Sequence, residues 1–274
     1  MEEFPDANFY KACVPRAWRN NRPQFFNCGS RATVIKSYFE ILDLYQQDPS
    51  KYKLNPDLLF ALVDLDNDIA SFYGDYLVDD TEALFNDLYQ NTEINIDQIA
   101  RHHLWVTGFI YKEAYFLQPE LQDIFEDCLQ TPQYDGQPLE LDNIYRDIAN
   151  AMIPEAGTNA LQEHFDTVRQ RLHHCPDLDT TSPETLQTSW LDTFQNSKNP
   201  SERRQLARNL MTVQQVKPQW QKIQPPADVT MQDWQFREQL ESKIGDWYAE
   251  QPPTLDNHLA CFFNELWRKI DPSR

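Results

Sequence analysis

The sequence predicts an all-α protein, a compact multi-helix bundle of about nine or ten helices around a central apolar helix. Three observations carry that expectation. Prolines stand directly behind capping residues, where helices begin. Apolar side chains return every three or four residues along most of the chain. Only 6 of the 274 residues are glycine, fewer than folds rich in tight hairpins need.

In chain order, Ile35, Tyr38, Leu42 and Tyr45 mark the first clear amphipathic stripe. Asn55-Pro56-Asp57 opens the next helix: the asparagine can cap free N–H groups, and proline takes the first helical position, where a missing N–H is harmless. Its stripe is Leu58, Leu62, Leu65, Ile69 and Phe72. The stretch from Ile96 to Leu117 is apolar around most of its circumference, through Trp105, Val106, Phe109, Ile110, Tyr115 and Phe116, and reads as the central buried helix. Pro119 can begin another. Leu161, Phe165, Val168 and Leu172 form a further stripe. Ser182-Pro183-Glu184 and Asn199-Pro200-Ser201-Glu202 repeat the opening signal, Asn199 with Glu202 resembling a capping box. Leu206, Leu210 and Val213 follow, then Phe236, Leu240, Ile244 and Trp247, and finally Leu255, Leu259, Phe262, Leu266 and Ile270. No sustained period-two alternation and no repeat of fixed period accompanies them.

Residues 131–138 and 175–183 read as connectors, the second the better domain boundary because it is rich in Asp, Thr, Ser and Pro. The chain then divides into a basic, aromatic N-terminal segment with the first helix (1–53), an acidic helical core (54–174) and a C-terminal helical region (175–274), which can also form one continuous domain.

Charge is also spread unevenly along the chain. The formal net charge is −19. Residues 1–53 hold 8 basic and 6 acidic side chains, residues 54–153 hold 3 and 20, and residues 154–274 hold 13 and 17. Residues 7–36 contain no acid, yet carry Lys11, Arg16, Arg19, Arg22, Arg31 and Lys36 interleaved with Phe9, Tyr10, Trp18, Phe25 and Phe26. A second basic stretch, 198–222, holds Arg203, Arg204 and Arg208, with Glu202 its single acid. These arginines are the candidate binding residues. They can pair with the acidic middle of their own chain, dock on an acidic partner protein, or hold the phosphates of RNA or DNA. The acidic whole disfavours non-specific nucleic-acid binding.

Five widely spaced cysteines without a CxxC pair argue against a disulfide framework and a zinc knuckle, and fit buried thiols in a reducing compartment. The acidic start has no apolar core like that of a secretory signal, and no run of about 18 apolar residues is present. A cytoplasmic location with no membrane span is the expectation. GxSxG, GxGxxG and GxxxxGK[ST] patterns are missing.

Three weak chemical candidates remain. On a helix after Pro56, Asp64, Asp68 and Asp75 would share a face, with Asp79 and Asp80 at the next helix start; such a row can hold Mg²⁺, as in helical enzymes acting on diphosphates. The alternative for Asp79-Asp80-Thr81-Glu82 is helix capping. Asp64–Asp75 fails an EF-hand, since Ile69 stands where glycine is needed. Next, Arg169 and His174, with four residues between them, resemble the Arg–His pair of HEPN-type helical ribonucleases; the resemblance covers these two positions and implies RNA cleavage by them. Last, Glu113 lies in the apolar stretch, where a carboxylate can become functional or simply be a buried ion pair. The expectation drawn from all of this is a non-catalytic interaction protein: an adaptor, regulator or complex subunit that binds another protein through charge-segregated surfaces. A Mg-dependent enzyme and a HEPN-like ribonuclease are the alternatives.

Overall fold

The computed structural model describes residues 7–126, 131–153 and 160–271, and within them every side chain except those of residues 19–21 and 160. The chain is rich in helix but not strictly all-α. In order it forms α1 (Ala7–Ala12), α2 (Arg31–Gln47), β1 (Ala61–Val63), α3 (Thr81–Leu88), β2 (Tyr89–Gln90), β3 (Glu93–Ile94), α4 (Ile96–Ile99) and β4 (Leu104–Val106). There follow α5 (Gln122–Glu126), β5 (Gln133–Tyr134), β6 (Gln137–Pro138), α6 (Leu141–Asn150), α7 (Ala160–Glu163), α8 (Phe165–Arg171), α9 (Pro183–Asn196), α10 (Pro200–Met211), α11 (Lys217–Gln221), β7 (Ile223–Gln224), α12 (Asp233–Tyr248) and α13 (His258–Ile270). Short 3-10 turns cover Arg16–Asn21, Pro56–Leu58, Lys112–Phe116 and Pro119–Leu121.

The helix-start signals act as their chemistry requires. Ser182 accepts from the Thr185 N–H and Thr185 returns a bond to Ser182, a closed capping box on α9. Asn199 caps α10 through the Ser201 N–H. Asn55 also caps, accepting from the Asp57 N–H, but the chain behind it turns only once before Leu59 extends. The long helix expected after Pro56 is therefore absent. Leu58 and Ile69, two members of its stripe, are about half exposed, so the stripe is no buried face.

The central apolar helix is not present either. Most of its apolar residues are buried, Ile96 at 63% exposure being an exception, but as α4, β4 and a 3-10 turn in succession. β4 pairs in parallel with β1, Ala61 opposite Leu104 and Val63 opposite Val106. A segment apolar on all sides suits a strand covered on both faces as well as it suits a buried helix, and long-range pairing decides between them. Residues 131–138, expected to be a connector, form the hairpin β5–β6. Asp135 and Gly136 occupy its turn with φ of 49° and 76°, the left-handed pair that a tight hairpin demands.

The chain gathers into two compact units. Unit 1 takes the stretch through Leu65, then Ile69–Gly108, then Ser242 onward; unit 2 takes Asp66–Asp68 and Phe109–Glu241. Within unit 1, α13 lays Phe262 against Phe60 and Trp105, and Phe263 against Trp18 and Phe25. His258 at its start is buried, donates its Nε2–H to the Thr92 carbonyl oxygen over 2.6 Å, and fills the space a Cβ would need at Gly108. Within unit 2, Trp190 and Phe194 stack face to face on α9 at 4.7 Å, and the Trp190 indole donates to Leu206 O on α10. No helix among the described residues is long and apolar enough to cross a membrane.

Candidate functional site

The basic, aromatic N-terminal stretch builds a groove on unit 1. A cavity of roughly 440 Å³ is lined by Lys11 and Val14, from the end of α1 and the residues just beyond it, and by Arg22, Pro23, Gln24, Phe25 and Phe26 from the stretch leading to α2. Val14 is buried and makes its floor. Phe25 is half-buried, its ring 6.3 Å from that of Phe263. Phe26 points outward at 78% exposure, the most exposed large hydrophobic side chain among the described residues. The Lys11 and Arg22 side chains make no ion pair or hydrogen bond among the described residues. In a chain of net charge −19, two cations that no acid among the described residues pairs with form a local positive potential beside one aromatic ring.

Four of the other candidate arginines are engaged inside their own units. Arg16 pairs with Asp246 at 3.1 Å and approaches Glu250 at 4.0 Å, which raises its already high pKa through the Asp246 hydrogen bond first and both charges next. Arg31 donates to Leu65 O at 2.9 Å. Arg203 lies over the Phe194 ring at 4.2 Å and pairs with Asp142. Arg208 pairs with Glu120 at 2.7 Å. Arg204 is exposed and makes no ion pair among the described residues; it edges a second cavity of roughly 460 Å³ with Glu126, Glu140 and Asp142. Arg19 falls on a side chain outside the described ones. The structure thus separates the arginines with partners inside their units from two without an ion pair among the described residues, Arg22 beside Lys11 and Arg204 at the second cavity.

The chain matches no family model, no curated protein and no solved structure.

Geometry therefore stands alone, and it bears on the three chemical candidates. Asp64, Asp68 and Asp75 lie in irregular chain and share no helix face. Asp68 faces His164 at 3.3 Å. Asp80 caps α3, accepting from the Ala83 N–H at 2.8 Å, and the Asp79 carbonyl accepts from the Phe72 N–H; this is the capping alternative. No group of three His, Cys, Asp or Glu among the described residues is arranged to hold a metal ion. Arg169 bonds Asp166 and the Thr180 carbonyl at the surface. His174 is half-buried beyond the end of α8, and burial lowers its pKa, so it is neutral at pH 7. Cys175 beside it accepts from Asn209 Nδ2 at 2.8 Å, and burial, then Asp177, pushes the thiol up to about 11. It stays protonated and is a poor nucleophile. Glu113 is buried in its 3-10 turn, and its charge contributes to raising the carboxyl of Glu241, whose shift comes first from burial.

Two arrangements escaped the sequence reading. Arg171, not Arg169, is the buried arginine of α8. It donates to Asp66 O, Thr212 O and Asn67 Oδ1 at 2.7, 2.8 and 3.1 Å, holding a loop in which Asp66 has φ 55°. Helix periodicity gave no signal here, since Arg169 and Arg171 flank the Val168–Leu172 stripe on opposite sides at comparable angles. In unit 1, Asp87 Oδ2 receives the His102 Nε2–H at 2.8 Å while the Tyr76 hydroxyl reaches His102 Nδ1 at 3.4 Å and accepts the Leu104 N–H at 3.0 Å. Such a chain resembles a proton relay, but the His102 side chain is fully buried and the Tyr76 hydroxyl is engaged by Leu104 on both sides. It locks the 71–80 loop to β4. No local pattern links Asp87 to a histidine fifteen positions on.

Proposed function

We propose that this chain is a non-catalytic interaction protein, an adaptor, regulator or complex subunit, and that its N-terminal groove receives an acidic segment of another protein. One observation carries the reading: Lys11 and Arg22 line a single groove beside exposed Phe26, and among the described residues no acid pairs with either. Charge complementarity selects an acidic partner, and an exposed aromatic ring next to cations supplies the apolar anchor that interfaces favour. Phosphates of RNA or DNA would meet the same two cations, but the net charge of −19 repels a polyanion at longer range. Four free thiols among the described residues, Cys13, Cys28, Cys175 and Cys261, support work in a reducing compartment such as the cytoplasm.

The test is affinity purification of the intact chain from its native cell extract beside the Lys11→Glu/Arg22→Glu variant, with and without nuclease. A protein retained by the wild type, insensitive to nuclease and lost with the double charge reversal, is the expected result. Recovery of the same proteins by both forms, or of the chain alone, rejects the reading. Retained material that nuclease removes would move the assignment to nucleic acid.

A further inference from the structure

We propose that the acidic segment binds as an added β-strand along Arg22–Cys28. The inference rests on the docking reading above and specifies how the partner is held. Residues 22–28 run without helix, turn or bend. Arg22 is extended, with φ −63° and ψ 133°, and Pro23 has its φ fixed near that value by its ring. Exposure alternates over the first five residues: Arg22, Gln24 and Phe26 outward, Pro23 and Phe25 half-buried. That is the period of a strand lying on a core with one face in water.

The backbone of this strand has no mate among the described residues. None of residues 22–28 makes a backbone–backbone hydrogen bond among the described residues. The segment ends where Gly29 N–H turns to Asn27 Oδ1 and Ser30 caps α2. Exposed extended backbone of this kind is a template for another chain. In a strand, the N–H and C=O of alternate residues face the same edge. Arg22, Gln24, Phe26 and Cys28 share an edge with every N–H present; the opposite edge, through Pro23, Phe25 and Asn27, lacks one at the proline. The complete edge is the one an incoming strand would use. Lys11 and Arg22 would then pair with acids of the incoming strand, and Phe26 would cover an apolar residue between them.

The experiment uses the whole chain and a pool of short synthetic peptides, each with acidic residues flanking a central leucine or phenylalanine. The tightest binder is remade as a set carrying one backbone N-methyl group at each position in turn, and Kd is read by fluorescence polarisation. Strand addition predicts a weakening on the order of tenfold or more at every second position and little change between them. Gln24→Pro, which removes one N–H from the complete edge while leaving an exposed extended position, should weaken binding comparably with an unchanged circular-dichroism spectrum. Tight binding with no alternation in the N-methyl series and no loss in Gln24→Pro overturns strand addition and leaves acidic docking standing. If no peptide of the pool binds, or if Lys11→Glu/Arg22→Glu binds them equally well, the docking reading itself falls.

Discussion

Replacing Arg171 with methionine should destabilise unit 2 by about 3–5 kcal/mol, the range for leaving partners of a buried charged group unsatisfied. Arg171 is 5% exposed and its guanidinium donates to Asp66 O, Thr212 O and Asn67 Oδ1. Hydrogen bonds from a charged donor contribute roughly 1.5–3 kcal/mol each, so the gross loss is about 4–9 kcal/mol. Two terms reduce it. Asp66 and Asn67 are half-buried, so water can take over part of their bonding, and the variant no longer desolvates a guanidinium. Thr212, 1% exposed, is out of reach of water, and an orphaned carbonyl there accounts for about 1–3 kcal/mol by itself. Methionine keeps much of the stem's volume, so a cavity adds little. Urea unfolding followed by circular dichroism reads the change; with m near 3 kcal/mol/M, the midpoint should fall by about 1–1.7 M. Arg171→Lys keeps the charge without the planar fork and should recover less than half. A loss under about 1 kcal/mol for Arg171→Met would refute the clamp.

His102 is neutral in the folded state because burial lowers its pKa, with Asp87 opposing less strongly. Its contribution to stability is therefore full above the unfolded value of about 6.5 and is lost as pH falls toward and through the lowered folded value; urea midpoints should decline over that window, and less steeply in His102→Gln. His174 shifts the same way, so His102→Gln should leave part of the slope. Gly108→Ala would drive a methyl group into the His258 ring and should lower stability by about 1–3 kcal/mol, read by thermal unfolding; an unchanged midpoint would show that the ring moves freely. Asp80→Ala should lose about 1 kcal/mol as an N-cap while Asp80→Asn stays near wild type, and equal losses would point to a role for the charge itself.

Local signals were legible where a few neighbouring residues decide the outcome. The caps at Ser182 and Asn199 act through bonds spanning two or three positions, and α9 and α10 begin where they should. Leu161, Phe165, Val168 and Leu172 are all buried, although the helix carrying them breaks at His164. What sequence order conceals is pairing between distant segments. Ala61–Val63 becomes a strand because Leu104–Val106 lies beside it, and strands of two or three residues are too short to display alternation. The helix pattern through Leu58, Leu65 and Ile69 was a coincidence of spacing that this pairing overrides. At the candidate groove, the basic and aromatic character of residues 7–36 was plain, and so was Arg22. Which cations would find acids at Asp246, Asp142 or Glu120 could not be read, since each partner lies many residues away.

The interleaving of the two units also bears on synthesis. Translation delivers Phe262 and Phe263 some two hundred residues after Phe60 and Trp18, which they cover. Until α13 leaves the ribosome, those rings, and the Thr92 carbonyl that meets His258, face solvent or whatever chaperone attends them. The 109–241 stretch, nearly continuous in sequence, has no such wait. The Arg22–Cys28 strand, resting through Phe25 on Phe263, thus acquires its backing only once α13 has been made, long after the strand itself.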